Sequence, residues 1–229
     1  GTLVLACAAL ALASDSIRVT GKLQVGTAQH PFHEKATIRL TDDFACAPER
    51  RVLAVEGRGL LRLIGRATGP SWTQLAKTAP AGAVELVLAE PPAWEPGQEL
   101  VVASTDYDME QAEVRVVRAV AGNRVTLLTP LDHTHWGAVE GQSIDGIGVD
   151  ERAEVGLLSR SIVVRGSPLR GGHTLLRLPD PGGAPRAELA WTAFRDLGEA
   201  GVLGRYPIHF HMIGDAAGYV EPFTGEGIA

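Results

Sequence analysis

The chain has 229 residues, 45% hydrophobic and 5% aromatic, with 27 glycines, 14 prolines and a formal net charge of -6. That balance describes a turn-rich globular protein with room for one large domain or two small ones, and it excludes a general nucleic-acid binder, which would carry a basic field. Two cysteines, Cys7 and Cys46, make at most one bridge and exclude a disulfide-dense scaffold.

Leu3 to Ala13 (LVLACAALALA) has the apolar character of a secretory signal, but it lacks an initiating Met and a basic flank. It is also too short to span a bilayer, and no transmembrane segment is expected in the chain. IRVTGKLQVG predicts two brief strands bent at Thr20-Gly21-Lys22. Short apolar runs follow at Thr37 to Leu40, Val52 to Val55, Leu60 to Ile64, Val84 to Leu88, Leu100 to Ala103, Val114 to Val120 and Val125 to Leu128. Others come at Val155 to Leu158, Ile162 to Val164 and Thr174 to Leu178, each bounded by Gly, Pro, Asp or Arg. Hairpin signals are scarce, AGNR at 121–124 being the best. Many short strands suggest an all-β sandwich, barrel or solenoid, and joining by bends rather than hairpins tilts toward the solenoid, as in a right-handed parallel β-helix.

PPAWEPG and LPDPGGAP are the strongest loop signals. Trp72 and Trp94 read as core or corner residues. In HTHW (His133, His135, Trp136) the aromatic could stack on a sugar ring, but a hydrophobic plug over the coil is the preferred reading.

In LGRYPIHFHMIGD (Leu203 to Asp215), Tyr206, Ile208, Phe210 and Met212 alternate with Arg205, Pro207, His209 and His211. A period of two marks a strand with an apolar and a polar face. Same-side residues lie roughly 6.5 to 7 Å apart, close enough for His209 and His211 to touch one ligand. Asp215 follows the next glycine. Eight arginines lie between Arg152 and Arg205, against five acidic residues in that span, which favours an anionic ligand in the C-terminal third.

GKLQVGTAQHPFHEKATIRL, SWTQLAKTAPAGAVELVLAEPPAWEPGQELVVAST, RAEVGLLSRSIVVRG, GGH and LGRYPIHFH, in that order, resemble the eight-glycine (G8) extracellular domain followed by the first coils of a parallel β-helix. The family is that of the cell-migration-inducing hyaluronan-binding protein, transmembrane protein two and the fibrocystin-like receptors. The resemblance implies a G8-type domain over 1–150 and the first β-helix coils over 151–229, in a pectin-lyase-like fragment truncated at both ends. It also implies an extracellular or cell-surface location and, for the hyaluronan-linked members, binding and endo-acting depolymerisation of hyaluronan. Fibrocystin-like members imply instead a receptor or structural module, and function lives in the site rather than the fold.

An anionic polysaccharide such as hyaluronan calls for arginines that can grip carboxylates with two prongs, and Arg205 is the best placed. Hydrolysis calls for two carboxyl groups, about 5 to 5.5 Å apart for retention or 6.5 to 9.5 Å for inversion. Asp215, Glu188 and Asp196 are the candidates. Leu189, Trp191 and Ala193 are read as the inward side of the preceding coil. A coil offset of 21 residues would set Glu188 beside His209, roughly 4.8 Å away, whereas an offset of 19 would set Ala190 there. Elimination is the other route, with His209 or His211 as base, imidazole being the side chain that exchanges protons near neutral pH. A divalent metal on both imidazoles and Asp215 is a third option. Calcium would prefer oxygen ligands such as Asp215 or the Asp42-Asp43 pair. His173, after Gly171-Gly172, could line the same groove from a neighbouring coil.

Overall fold

The computed structural model describes residues 2–5, 8–42, 50–137, 143–144, 147–148, 150–177 and 185–211. Cys7, Cys46, Asp43, Met212 and Asp215 lie outside them. Among the described residues the protein is all-β, with one 3-10 turn at Met109–Gln111.

The chain begins with seven strands: β1 (Thr2–Leu5), β2 (Leu10–Ser14), β3 (Ser16–Val19), β4 (Lys22–Val25), β5 (Ala36–Leu40), β6 (Val52–Glu56) and β7 (Leu60–Ile64). The apolar N-terminal run thus contributes to β1 and β2. An inserted unit then carries β8 (Trp72–Gln74), β9 (Glu85–Val87), β10 (Glu99–Val102), β11 (Glu113–Ala121) and β12 (Arg124–Leu127). The short pair β13 (Ser143–Ile144) and β14 (Ile147–Gly148) and then β15 (Glu154–Leu157) follow. The chain resumes with β16 (Ile162–Arg165), β17 (His173–Arg177), β18 (Arg186–Ala190), β19 (Thr192–Arg195) and β20 (Ile208–His211). Nearly every apolar run picked out in the sequence is one of these strands.

Two compact units result, residues 1–67 with 160–229, and Thr68–Ser159. The expected boundary at 150/151 is one of modules along the chain, whereas the compact units divide after residues 67 and 159. In the first unit the strands form three four-stranded sheets, in the orders β1-β4-β7-β18, β2-β5-β16-β19 and β3-β6-β17-β20. Their ladders are parallel. The chain visits the three sheets in rotation, so that each circuit adds one strand to each.

Alternation decides which side chains go inside. In the third sheet Leu53, Thr174 and Ile208 share one row and Val55, Leu176 and Phe210 another. Val55 and Leu176 are buried in the core with Ile38, Leu61, Leu63 and Val164, and Phe210 packs against it. A buried Leu or Val of this kind contributes about 1.5 to 3 kcal/mol.

One inward reading is corrected here. Leu189 packs on the core, but Trp191 sits at the corner between β18 and β19 with φ +53°, and the alternation changes phase there. Thr192 and Phe194, in register with the core residues Ile162 and Val164, therefore face inward in place of Trp191 and Ala193.

The inserted unit departs from the expected stacking of parallel strands. Its main sheet is antiparallel, in the order β8-β15-β10-β11-β12-β9. The tight β11–β12 connection falls on the AGNR signal, with Gly122 at φ +60°. Trp94 is buried in this unit's core and its Nε1 donates to the Pro70 carbonyl at 3.0 Å. Trp72 and Trp136 are exposed, at 57% and 53%, so neither is a core residue or a plug.

Candidate functional site

β20 is held in place by β17, with Leu175 opposite His209 and Arg177 opposite His211. Because Phe210 packs against the core, His209 and His211 lie on the other face of the strand. Their rings meet edge to face with centroids 5.2 Å apart, and Tyr206 packs edge-on against His209 at 5.1 Å. His209 Nδ1 lies 2.6 Å from the Gly204 carbonyl oxygen. A carbonyl only accepts, so Nδ1 carries the proton and Nε2 is the lone-pair nitrogen of the neutral ring.

The outer rows of this sheet are polar at their ends, with Ala54 and Leu175 buried between them beside Val52. Glu56, Arg177 and His211 stand in one row, and Arg18, Ala54, Leu175 and His209 in the next. Arg18 Nη1 donates to both oxygens of Glu56, at 3.0 and 3.1 Å, and Arg177 also pairs with Glu56. One carboxylate thus gathers two guanidinium groups beside the paired imidazoles.

The loops before β17 and β20 form a cleft of about 560 Å³ lined by Arg51, Arg170, Gly171, Asp196 and Glu199 among others. Gly171 has φ +65°, and a Cβ there would lie 1.7 Å from the Gly198 carbonyl oxygen, so only glycine fits this approach. A chain of ion pairs runs through the site: Arg170 to Asp42 at 3.4 Å, Asp42 to Arg51 at 3.0 Å, Arg51 to Glu199 at 3.0 Å, and Glu199 to Arg205 at 3.0 Å. Three arginines against two carboxylates leave the chain one charge positive. The Arg51 side chain is only 7% exposed, and a cation so buried needs those two partners.

The structure gathers some of the residues picked from the sequence and separates others. Arg205 reaches the cleft through Glu199, and Gly204 beside it anchors His209. His173 starts β17 and is buried, its backbone N–H donating to the Arg51 carbonyl at 2.8 Å. Asp196 lines the cleft and pairs with Arg165 at 2.9 Å. Glu188 is on β18 in the first sheet, opposite Arg62, whereas His209 is on β20 in the third. Neither trial offset applies, because His209 has Leu175 beside it. Arg62 Nη2 donates to Glu188 at 2.7 Å, and this hydrogen bond, opposed by burial and helped by its charge, holds the carboxyl below the usual glutamate range.

Asp42 is occupied by Arg51 and Arg170. Among the described residues no group of three or more His, Cys, Asp and Glu side chains is placed to hold a metal. Glu56, Arg177, Arg18, Arg51 and Glu199 were not legible from spacing. The register offsets from Arg18 to Ala54, Leu175 and His209 follow no constant period.

The HTHW motif is built differently. His135 is fully buried, its Nδ1 2.9 Å from the Ala103 carbonyl oxygen and its Nε2 2.8 Å from Glu113 Oε1. Glu113 also accepts the backbone N–H groups of Asp132 and His133, both at 2.8 Å, and pairs with Arg115. Burial pushes the Glu113 carboxyl up, but the hydrogen bonds from Asp132, His135 and His133, with the Arg115 charge, outweigh it and hold the group below its ordinary value.

Residues 1–76 match the family described as the G8 domain. Human fibrocystin-L is 32% identical over 264 residues, covering 94% of this chain and 6% of that protein. The human cell migration-inducing and hyaluronan-binding protein is 40% identical over 153 residues, covering 56% of this chain and 10% of that protein. The chain therefore spans a small part of the length of these relatives. Among solved structures, the tailspike gp61 of Pseudomonas phage phi297 aligns over 78% of this chain and 26% of its own, with 15% identity and a TM-score of 0.33.

Proposed function

Because the chain belongs to the G8-domain family that takes in fibrocystin-L and the cell migration-inducing and hyaluronan-binding protein, we propose that it binds hyaluronan or a related anionic polysaccharide at the cell surface or outside the cell and takes part in its endo-acting cleavage. Rotation of the chain through three parallel sheets supports a right-handed parallel β-helix, the hand being the one that parallel crossover connections adopt. Among the described residues no helix is long and apolar enough to cross a membrane. The modules expected at 1–150 and 151–229 remain our reading of the domain plan.

The observation that carries the reading is the row Glu56, Arg177, His211 beside His209, next to the arginine-rich cleft. Arg177, in register with His211 and already turned to a carboxylate at Glu56, offers the forked guanidinium chemistry that recognises a uronate carboxylate. Neutralising that carboxylate acidifies the neighbouring C–H. In the eliminative route His209 Nε2, the lone-pair nitrogen set by Gly204, accepts that proton, the bond from the adjacent ring carbon to the glycosidic oxygen breaks as a carbon–carbon double bond forms, and His211 orients the sugar or returns a proton to the departing oxygen. In a hydrolytic route Asp215 supplies the acid, with Arg205, His173 and Asp196 shaping the cleft.

The second reading is a binding or receptor module without cleavage. It is favoured by the arginine partners of Glu56, Glu188 and Asp196, each of which already engages a guanidinium rather than facing a second open carboxyl group. Replacing His209 and His211 together by Ala separates the two. Under the first reading hyaluronan size reduction is lost while affinity stays within a few-fold. If the unmodified protein never shortens hyaluronan, the cleavage reading falls and the binding reading stands.

A further inference from the structure

The outer face of the antiparallel sheet carries a feature that neither the histidine site nor the cleft uses. Trp72 on β8 is in register with Gly156 on β15, Gly156 with Val101 on β10, and Val101 with Val114 on β11. Leu100, Val102, Val155 and Leu157 alternate with them along β10 and β15 and belong to this unit's core, so the row lies on the opposite face. Trp72 and Val114 are exposed, and β8 is the edge strand of the sheet. No member of the row carries a charge.

Gly156 is the informative position. A Cβ built there would meet, among the described residues, only Val101 Cγ1 within 4 Å, at 3.5 Å, which is an ordinary contact. The Trp72 ring therefore does not fold down over the glycine. Its φ also lies outside the left-handed region, so neither packing nor backbone requires glycine here. Glycine inside a strand weakens it, and one kept without such a need marks a place where a ligand approaches the backbone. The outcome is a shallow slot floored by Gly156, with Trp72 on one side and Val101 and Val114 on the other. Exposed Glu154 stands two residues along β15 on the same face. The unit around it is strongly acidic, with fourteen acidic and five basic residues from Thr68 to Ser159.

We propose that this row is a binding strip for a neutral oligosaccharide. A pyranose ring has a face of C–H groups that stacks on an indole, and a rim of hydroxyls that donate to carboxylates. Trp72 supplies the aromatic wall, Gly156 lets the ring settle against the backbone, and Glu154 accepts from hydroxyls at its side. The acidic surplus of the unit repels a polyanion, so uronate and sulfate chains are the wrong occupants. Size argues against a protein partner. Four strands about 4.8 Å apart make a strip roughly 14 Å long and one side chain wide. Val116 and Leu128 extend it at the β11 end, yet the whole falls well short of the roughly 800 Å² that a stable protein interface covers on each partner. This inference does not rest on the reading given for the third sheet.

The test is titration calorimetry of the whole chain with hexasaccharides of β-linked glucose, of β-linked N-acetylglucosamine and of α-linked mannose, with a hyaluronan hexasaccharide as the charged comparator. At least one neutral hexasaccharide should bind, with little change on added salt. W72A should lose about tenfold of that affinity, the worth of one stacked ring, W72F should recover part of it, and hyaluronan affinity should stay unchanged in both. G156A is the sharper variant. Its melting temperature should be no lower than that of the unaltered protein, since alanine serves a strand better than glycine, yet the methyl group fills the slot and neutral-glycan affinity should fall about tenfold. Y107A, at an exposed aromatic off the row, should bind normally. Failure of all three neutral hexasaccharides to bind overturns the proposal, as does unchanged affinity in W72A or G156A, or an equal loss of hyaluronan affinity. A later elution of free W72A in size exclusion would assign the row to a contact between copies and overturn it too. Failure of the hyaluronan reading would show instead in H209A/H211A and leave these results untouched.

Discussion

His133 and His135 in the antiparallel unit and His209 and His211 in the parallel unit share one spacing and little else. His135 has no exposed surface, and both its ring nitrogens face acceptors, a carbonyl and a carboxylate. His209 and His211 are half-buried on an outer sheet face, with a carbonyl on Nδ1 of His209 and arginines along the neighbouring strands. His135 is spent on stability, since a buried ring with every polar atom matched has no valence left for a ligand, whereas His133 is exposed and gives Glu113 its backbone N–H. The second pair stays partly open to solvent on the outer face of its sheet. Burial and the supply of acceptors separate an architectural histidine from one available for chemistry.

Glu113→Ala presses the contrast hardest. It strips acceptors from Asp132, His133, His135 and Arg115 at once, and leaving such charged partners buried and unmatched should cost about 3 to 5 kcal/mol. Hydrogen exchange at the β10 and β11 amides is the measurement, and unchanged protection would break the comparison. The same carboxylate sets a pH dependence. Its folded value lies below that of a free glutamate, so its contribution is fully present above about pH 4.3 and is lost as pH falls through the lower folded value. Protection in this unit should hold from pH 7 to 5 and decline below that, and a rise on acidification would contradict the assignment.

Gly171→Ala comes next. Its new Cβ would press on the Gly198 carbonyl in a backbone conformation that disfavours side chains, at a cost of about 1 to 3 kcal/mol. Because Gly171 and Gly198 both line the cleft, polysaccharide affinity should fall with it. A variant of normal stability and affinity would show that the cleft does not depend on this approach. H209A/H211A should fall at the other extreme, with stability within about 1 kcal/mol of the original, roughly one hydrogen bond's worth, and the effect confined to cleavage.

The strands were legible because each is a short alternating apolar run stopped by Gly, Pro, Asp or Arg. Leu60–Ile64 was bounded to the residue by its Gly neighbours. The two-faced character of Ile208–His211 was also legible, since period-two patterning is local. The neighbours of those histidines were not. Ala54 and Leu175 face each other across a whole inserted unit, and no local signal encodes a register set by such an insertion. Trp191 misled for a related reason: one left-handed residue at a corner reverses inside and outside along the strand that follows it.

Glu188→Gln has the smallest expected effect and bears most directly on the sequence-based choice of acid. Its carboxylate is held by Arg62 on the first sheet, while the histidines stand on the third. The pair is about a quarter to a third exposed, at 24% and 32% for the two side chains, so solvent screening limits its worth to about 0.2 to 1 kcal/mol. The amide still accepts from Arg62, which trims the loss further. A proton donor or nucleophile replaced by an amide would instead lose 10²-fold or more in rate, the order expected of general acid catalysis. Hyaluronan cleavage at the unaltered rate in E188Q therefore assigns Glu188 to the sheet, whereas a collapse in rate with normal stability would bring the first sheet into the chemistry and overturn the placement of the site on the third.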